Sequence, residues 1–102
     1  MAVVVATITP QPEHAATVRE AVLAAIPQVH GESGCQRYAL HEGQDGRLVM
    51  IEQWESPEDL AAHGKGDPFA VLSQALEGKL AGAPDLQVLT ALPVGDGAKG
   101  AL

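Results

Sequence analysis

The run Val49-Met-Ile-Glu-Gln-Trp54, leading directly into Ser56-Pro57-Glu58-Asp59, fixes a strand-to-helix corner in the second half of the chain. Residues 49–54 alternate and are rich in β-formers, which suits a pleated, half-buried surface. Ser56 is a good N-cap, Pro57 stands where a missing N–H costs nothing, and Asp59 can reach back to the cap. A helix over 56–63 follows, closed by Gly64. Trp54 then stands at a strand end, with His63 one short helix further on. Such a corner can line a small pocket or simply fill the edge of a core.

The remaining elements fall into place around that corner. Residues 2–9 read as a strand apolar on both faces, hence central in a sheet covered twice. Pro10 and Pro12 end it. Residues 12–31 read as a helix, with Ala15, Val18, Val22, Ile26 and Val29 at helical spacing and Pro27 loosening the last turn. Residues 35–43 and 47–55 read as a hairpin on a two-residue Asp45-Gly46 turn. Paired positions under that turn sum to about 91, so Arg37 opposes Trp54 and Tyr38 opposes Gln53. One face then carries Cys35, Arg37, Ala39, His41, Leu48, Met50, Glu52 and Trp54. The other carries Tyr38, Leu40, Val49, Ile51 and Gln53. A further helix starts at Asp67-Pro68 and buries Phe69, Leu72, Leu76 and Leu80. Residues 85–92 form the last strand, and the Gly-rich tail over 94–102 is expected to be flexible.

The order β-α-β-β-α-β defines an α+β, ferredoxin-like unit over residues 1–93 with a four-stranded antiparallel sheet. Helices cover one side of such a sheet. A second copy of the same sheet is the simplest cover for the other, so a homodimer through the sheet face is expected. Composition adds to that expectation: only Tyr38, Trp54 and Phe69 are aromatic, so Ala, Val and Leu supply most of the core.

Charge excludes one broad class. Six basic against thirteen acidic residues give a net charge of −7, and the six are scattered. Phosphate-backbone binding needs clustered Lys and Arg, so no nucleic-acid partner is expected. No stretch approaches a membrane span, so no membrane partner is expected either. The N-terminus has no basic segment ahead of an apolar run, and the lone Cys35 makes no intrachain disulfide. A cytoplasmic location is the corresponding expectation. The four His residues have no metal-ligand spacing, and there is no HExxH, GxGxxG or P-loop.

The corner Val49-Met-Ile-Glu-Gln-Trp-Glu-Ser, with Leu60-Ala-Ala-His63 after it, resembles the antibiotic biosynthesis monooxygenase (ABM) superfamily of dimeric α+β barrels. The segment Glu32-Ser-Gly-Cys35 with Tyr38 is similar to that family's turn into its second strand. The likeness spans roughly residues 2–92 and is nearest to the YgiN-like quinol monooxygenases. It implies oxidation of a quinol or polyphenolic aromatic substrate by O₂ with no metal, flavin or haem. The substrate supplies the electron, and the protein supplies an apolar pocket, a proton acceptor and hydrogen-bond donors. The haem-degrading branch of the fold uses Asn, Trp and His at positions that the resemblance matches to Ala6, His63 and Ser73 of this chain, so that route is not expected.

Under the resemblance His63 is the acid/base, because an imidazole exchanges protons near neutral pH. Read alone, it is a helix-end imidazole favoured by the dipole. Trp54 and Met50 are pocket walls under the resemblance and core residues without it. Glu52 is costly to bury unpaired. Its first reading is a structural salt link to Arg37 or His41, its diagonal neighbours across the hairpin. Its second is a pocket carboxylate, with Arg37 beside it as polar support for substrate. Tyr38, on the opposite face by register, is expected at the dimer interface. Cys35 reads as a small buried hydrophobe and Ser73 as a polar helix position without a role. Two other functions stay open: a non-catalytic dimeric binder of small hydrophobic metabolites, and an isomerase that needs no O₂.

Overall fold

The computed structural model describes residues 1–102. The strands are β1 (Ala2–Ile8), β2 (Cys35–Glu42), β3 (Leu48–Trp54) and β4 (Asp85–Leu89). The helices are α1 (Ala15–His30), α2 (Pro57–Gly64) and α3 (Asp67–Leu76), with a short 3-10 turn at Pro12–His14 before α1. The sheet runs β2-β3-β1-β4 with every neighbour antiparallel. This is the expected ferredoxin-like α+β arrangement, and its most apolar strand, β1, is internal as its two-sided hydrophobicity requires. β4 is three residues shorter than its sequence pattern suggested. α1 remains helical through Pro27 to His30.

The helices lie over one face of the sheet. Ala2, Val4, Ala6 and Ile8 from β1 meet Val18, Val22 and Val29 from α1, Leu48, Met50 and Trp54 from β3, and Leu72 and Leu76 from α3. Trp54 is completely buried. Removing a large side chain of this kind from water contributes about 1.5–3 kcal/mol. The strand-to-helix corner forms as its sequence predicts: Ser56 Oγ accepts from Asp59 N at 3.1 Å, and Pro57 occupies the first turn of α2. The turn before β2 locks against this corner. Gly34 has φ +80°, its carbonyl accepts from Glu55 N at 2.8 Å, and Asp59 fills the space where a Cβ would stand. α3 begins one residue differently from the sequence reading, because Gly66 rather than Asp67 is its N-cap and no side chain bonds there.

The hairpin register departs from expectation by one residue. Tyr38 pairs with Glu52, Leu40 with Met50 and Glu42 with Leu48. The cause is the loop. Gly43 N donates to Arg47 O at 2.7 Å, so three residues, Gln44, Asp45 and Gly46, make the connection. Gly46 takes the left-handed conformation (φ +86°) that closes such a loop, and Asp45 Oδ1 accepts from Arg47 N at 3.1 Å. A slip of one residue turns every β2 side chain to the other face. Tyr38 therefore points under the helices and is 6% exposed, not at the outer sheet surface. Arg37 and His41 pair with Gln53 and Val49 on the outer face, and both are exposed. A second irregularity between Cys35 and Arg37 returns Cys35 to the inner face opposite Trp54.

On the outer face Val5, Ala39, Val49 and Ile51 are half-buried. Gln53 Nε2 there donates to the carbonyl of Leu102 at 2.8 Å, so the C-terminal residue reaches back to β3.

Candidate functional site

Between the sheet and α2–α3 lies a cavity of about 730 Å³. That volume falls within the range of small-molecule sites. Its floor is the inner face of β1 and β3 with Tyr38 from β2, and its roof is α2 and α3. Leu86 and Val88 of β4 form a wall at the mouth and are 59% and 66% exposed.

His63 hangs from the last turn of α2 into this space and is 6% exposed. Its Nδ1 lies 3.0 Å from Glu32 Oε1, in the turn between α1 and β2. The other Glu32 oxygen is sealed from solvent and has no hydrogen-bond partner. A carboxylate on Nδ1 selects the tautomer with the proton there, which leaves Nε2 as the acceptor. Nε2 has no partner within the chain.

The chain's three aromatic residues surround this one imidazole. Ring centroids lie 4.7 Å away for Trp54, 5.4 Å for Tyr38 and 5.6 Å for Phe69. Tyr38 and Phe69 meet it edge-on, at 64° and 71°. Tyr38 also packs edge-on to Trp54 at 6.5 Å. Burial, with the nearby charges of Glu52 and Glu32, pushes the Tyr38 hydroxyl well above its ordinary value. It therefore stays a neutral phenol at physiological pH.

Glu52 is 4% exposed on the cavity floor. Its Oε1 accepts from Trp54 Nε1 at 3.0 Å, an i, i+2 contact along one face of β3. Burial holds its carboxyl above the usual range, against the opposing pull of the Trp54 N–H and of His63. Neither Arg37 nor His41 is near enough to pair with it, since both lie across the sheet. The expected salt link is therefore absent, and an indole N–H takes its place.

Of the residues singled out in the sequence, His63, Met50 and Glu52 line the cavity; Trp54, expected as a pocket wall, is instead wholly buried behind His63 and outside the lining, and Arg37 lies across the sheet. Ser73 lines the cavity from α3 although it carried no role in the sequence reading. Tyr38 and Glu32 are additions that only the structure supplies. Glu32 sits 31 positions from His63, so no local pattern links them. No group of three or more His, Cys, Asp or Glu side chains assembles a metal-binding cluster anywhere in the chain. No helix is long and apolar enough to cross a membrane.

A family model for antibiotic biosynthesis monooxygenases matches residues 1–74. No curated protein matches the chain. Among solved structures, a Caulobacter crescentus CB15 protein that carries the same family name is 32% identical, with a TM-score of 0.83 and 89% of each chain covered. PA3566 from Pseudomonas aeruginosa is 29% identical, with a TM-score of 0.82 over 89% of this chain and 93% of that one. Rv0793 from Mycobacterium tuberculosis is 26% identical, with a TM-score of 0.86 over 93% and 98%.

Proposed function

The chain belongs to the antibiotic biosynthesis monooxygenase family, and from that premise we propose that it oxidises a quinol or polyphenolic aromatic substrate with O₂ without a cofactor, His63 acting as the base. The observation that carries this reading is the Glu32–His63 pair at 3.0 Å beside an apolar cavity, with Nε2 unpartnered.

In the proposed reaction, His63 Nε2 takes the proton of a substrate hydroxyl. The resulting imidazolium is stabilised by Glu32, whose second oxygen otherwise has nothing to compensate its burial. The organic anion then passes an electron to O₂. The two radicals combine at a ring carbon, and heterolysis of the O–O bond completes the turnover. One oxygen atom stays on the ring and the other leaves as water with the two hydrogens the quinol gives up. Met50 and Phe69 line the cavity against which a planar ring lies, and Trp54 packs behind His63 without reaching the cavity surface. The neutral Tyr38 hydroxyl can donate to a substrate oxygen, and Glu52 can accept from a substrate hydroxyl.

This reading favours proton transfer over simple ligand binding, because a passive binder has no use for a carboxylate holding an imidazole in one tautomer. Oxygen uptake by the purified protein with a panel of quinols tests it. Uptake above the spontaneous rate supports the reading. Ligand-induced thermal stabilisation without uptake supports a non-catalytic binder, and product formation under anaerobic conditions supports an isomerase.

We further propose that two copies associate through the sheet face away from the helices. The half-buried Val5, Ala39, Val49 and Ile51 on that face support this. Sedimentation at micromolar concentration should give a dimer, and an Ile51→Asp variant should sediment as a monomer.

A further inference from the structure

We propose that the cavity selects uncharged, hydroxyl-bearing aromatic ligands over those carrying a carboxylate, sulfate or phosphate, with the free oxygen of Glu52 accepting a hydrogen bond from a ligand hydroxyl. This rests on reading the cavity as the substrate site and adds the charge class that it admits.

Three buried residues present a polar atom to the cavity without a partner in the chain, Glu52 by Oε2, Tyr38 by its hydroxyl oxygen and His63 by Nε2, while the exposed Ser73, Gln74 and Glu77 add polar side chains at its rim. None of them is sealed; the one sealed and unpartnered side-chain oxygen or nitrogen in the molecule is Glu32 Oε2. Tyr38 and Glu52 are directly paired across β2 and β3, so they stand side by side on the floor. His63 descends from the roof, its ring 5.4 Å from that of Tyr38. A ring with hydroxyls at opposite ends can donate to Glu52 at one end and to His63 at the other. The rest of the lining is predominantly aliphatic.

No Lys or Arg lines the cavity. Arg19 is paired with Glu42 and Arg47 with Asp45. Lys79 donates to the carbonyl of Ala75 at 2.9 Å. Arg37, Lys65 and Lys99 are exposed elsewhere. An anionic ligand group would lose its hydration and meet Glu52 and a His63 whose charge, when protonated, is already offset by Glu32, with no Lys or Arg to compensate it. The penalty holds whether Glu52 is ionised or protonated, because neither form supplies a positive charge.

Trp54 is the only tryptophan and touches His63, so its fluorescence reports occupancy without turnover. The test is an anaerobic titration of the full chain with naphthohydroquinone and with the same molecule bearing a carboxylate on its second ring, followed by Trp54 fluorescence and by calorimetry. The neutral ligand should bind at least about tenfold more tightly. In Glu52→Gln, which keeps an acceptor for Trp54 and adds a donor toward the cavity, that preference should fall below about threefold. Should this variant not fold, Ser73→Arg, which brings a cation to the cavity wall from an exposed helix position, should tighten binding of the carboxylated ligand alone. Equal or tighter binding of the carboxylated ligand by the wild-type chain overturns the inference. So does an unchanged preference in both variants. Failure of both ligands to bind removes the substrate-site reading together with this one. Selective binding without oxygen uptake upholds the charge selection and counts only against the monooxygenase reading.

Discussion

His63 Nδ1 and Glu32 Oε1 stand 3.0 Å apart although the two residues come from different turns of the chain, one ending α2 and the other ahead of β2. The contact fixes the imidazole between three aromatic rings and gives its proton-accepting nitrogen one direction. Glu32 touches no substrate in this account; it positions His63. Glu32→Gln should therefore lower kcat by about 10–100-fold with little change in KM, since binding groups are untouched and only the stabilisation of the imidazolium is lost. The pH profile of kcat should shift as well. A purely structural role for Glu32 would lower the melting temperature and leave the pH profile of the remaining activity where it was.

Glu52 gives a stability prediction with a definite sign. Its carboxyl is held above the ordinary value of 4.5, chiefly by burial. The folded protein thus holds this proton more tightly than the unfolded chain does. The contribution to stability is full below the unfolded value and is lost as pH rises through the folded value, then stays level. Glu52→Gln has no proton to lose and keeps the acceptor for Trp54. Its stability relative to wild type should improve as pH is raised from the acidic side of 4.5 toward neutrality. Urea unfolding of both proteins across that interval checks this. A difference that is flat with pH, or that moves the other way, contradicts the placement of Glu52 in a desolvated site.

Gly34 couples the site to the backbone. Its φ of +80° and the Asp59 side chain that fills its Cβ position leave no room for another residue. Gly34→Ala should destabilise the fold by about 1–3 kcal/mol. Because Gly34 lies between Glu32 and Cys35, and Asp59 bonds to Ser56, the N-cap of the helix that carries His63, activity should fall further than that destabilisation alone explains. Equilibrium unfolding and kcat measured on the same preparation separate the two effects.

The elements and their order were legible because each carries its own local signature: the alternation over 49–54, the Ser56-Pro57 helix start, and the two-sided apolar run of β1. The register was not. Asp45-Gly46 reads as a two-residue turn, yet Asp45 accepts from Arg47 N and draws a third residue into the loop. That single residue decided which side chains reach the site. It brought Tyr38 in and put Arg37 and His41 out. His63 could be singled out from its place at the strand-to-helix corner. Glu32 could not, because its partner is reached only through the packing of α2 against the turn before β2. The gathering of Tyr38, Trp54 and Phe69 around one imidazole is likewise a tertiary fact, spread over three elements that no spacing rule connects.

The most direct test of the account is the initial rate of O₂ consumption with one reactive quinol, measured side by side for metal-stripped wild-type protein and His63→Ala. Removing the base should cost about 10²–10⁴-fold in rate while the variant stays folded. Wild-type uptake indistinguishable from the spontaneous rate, or a variant as fast as wild type, would contradict it.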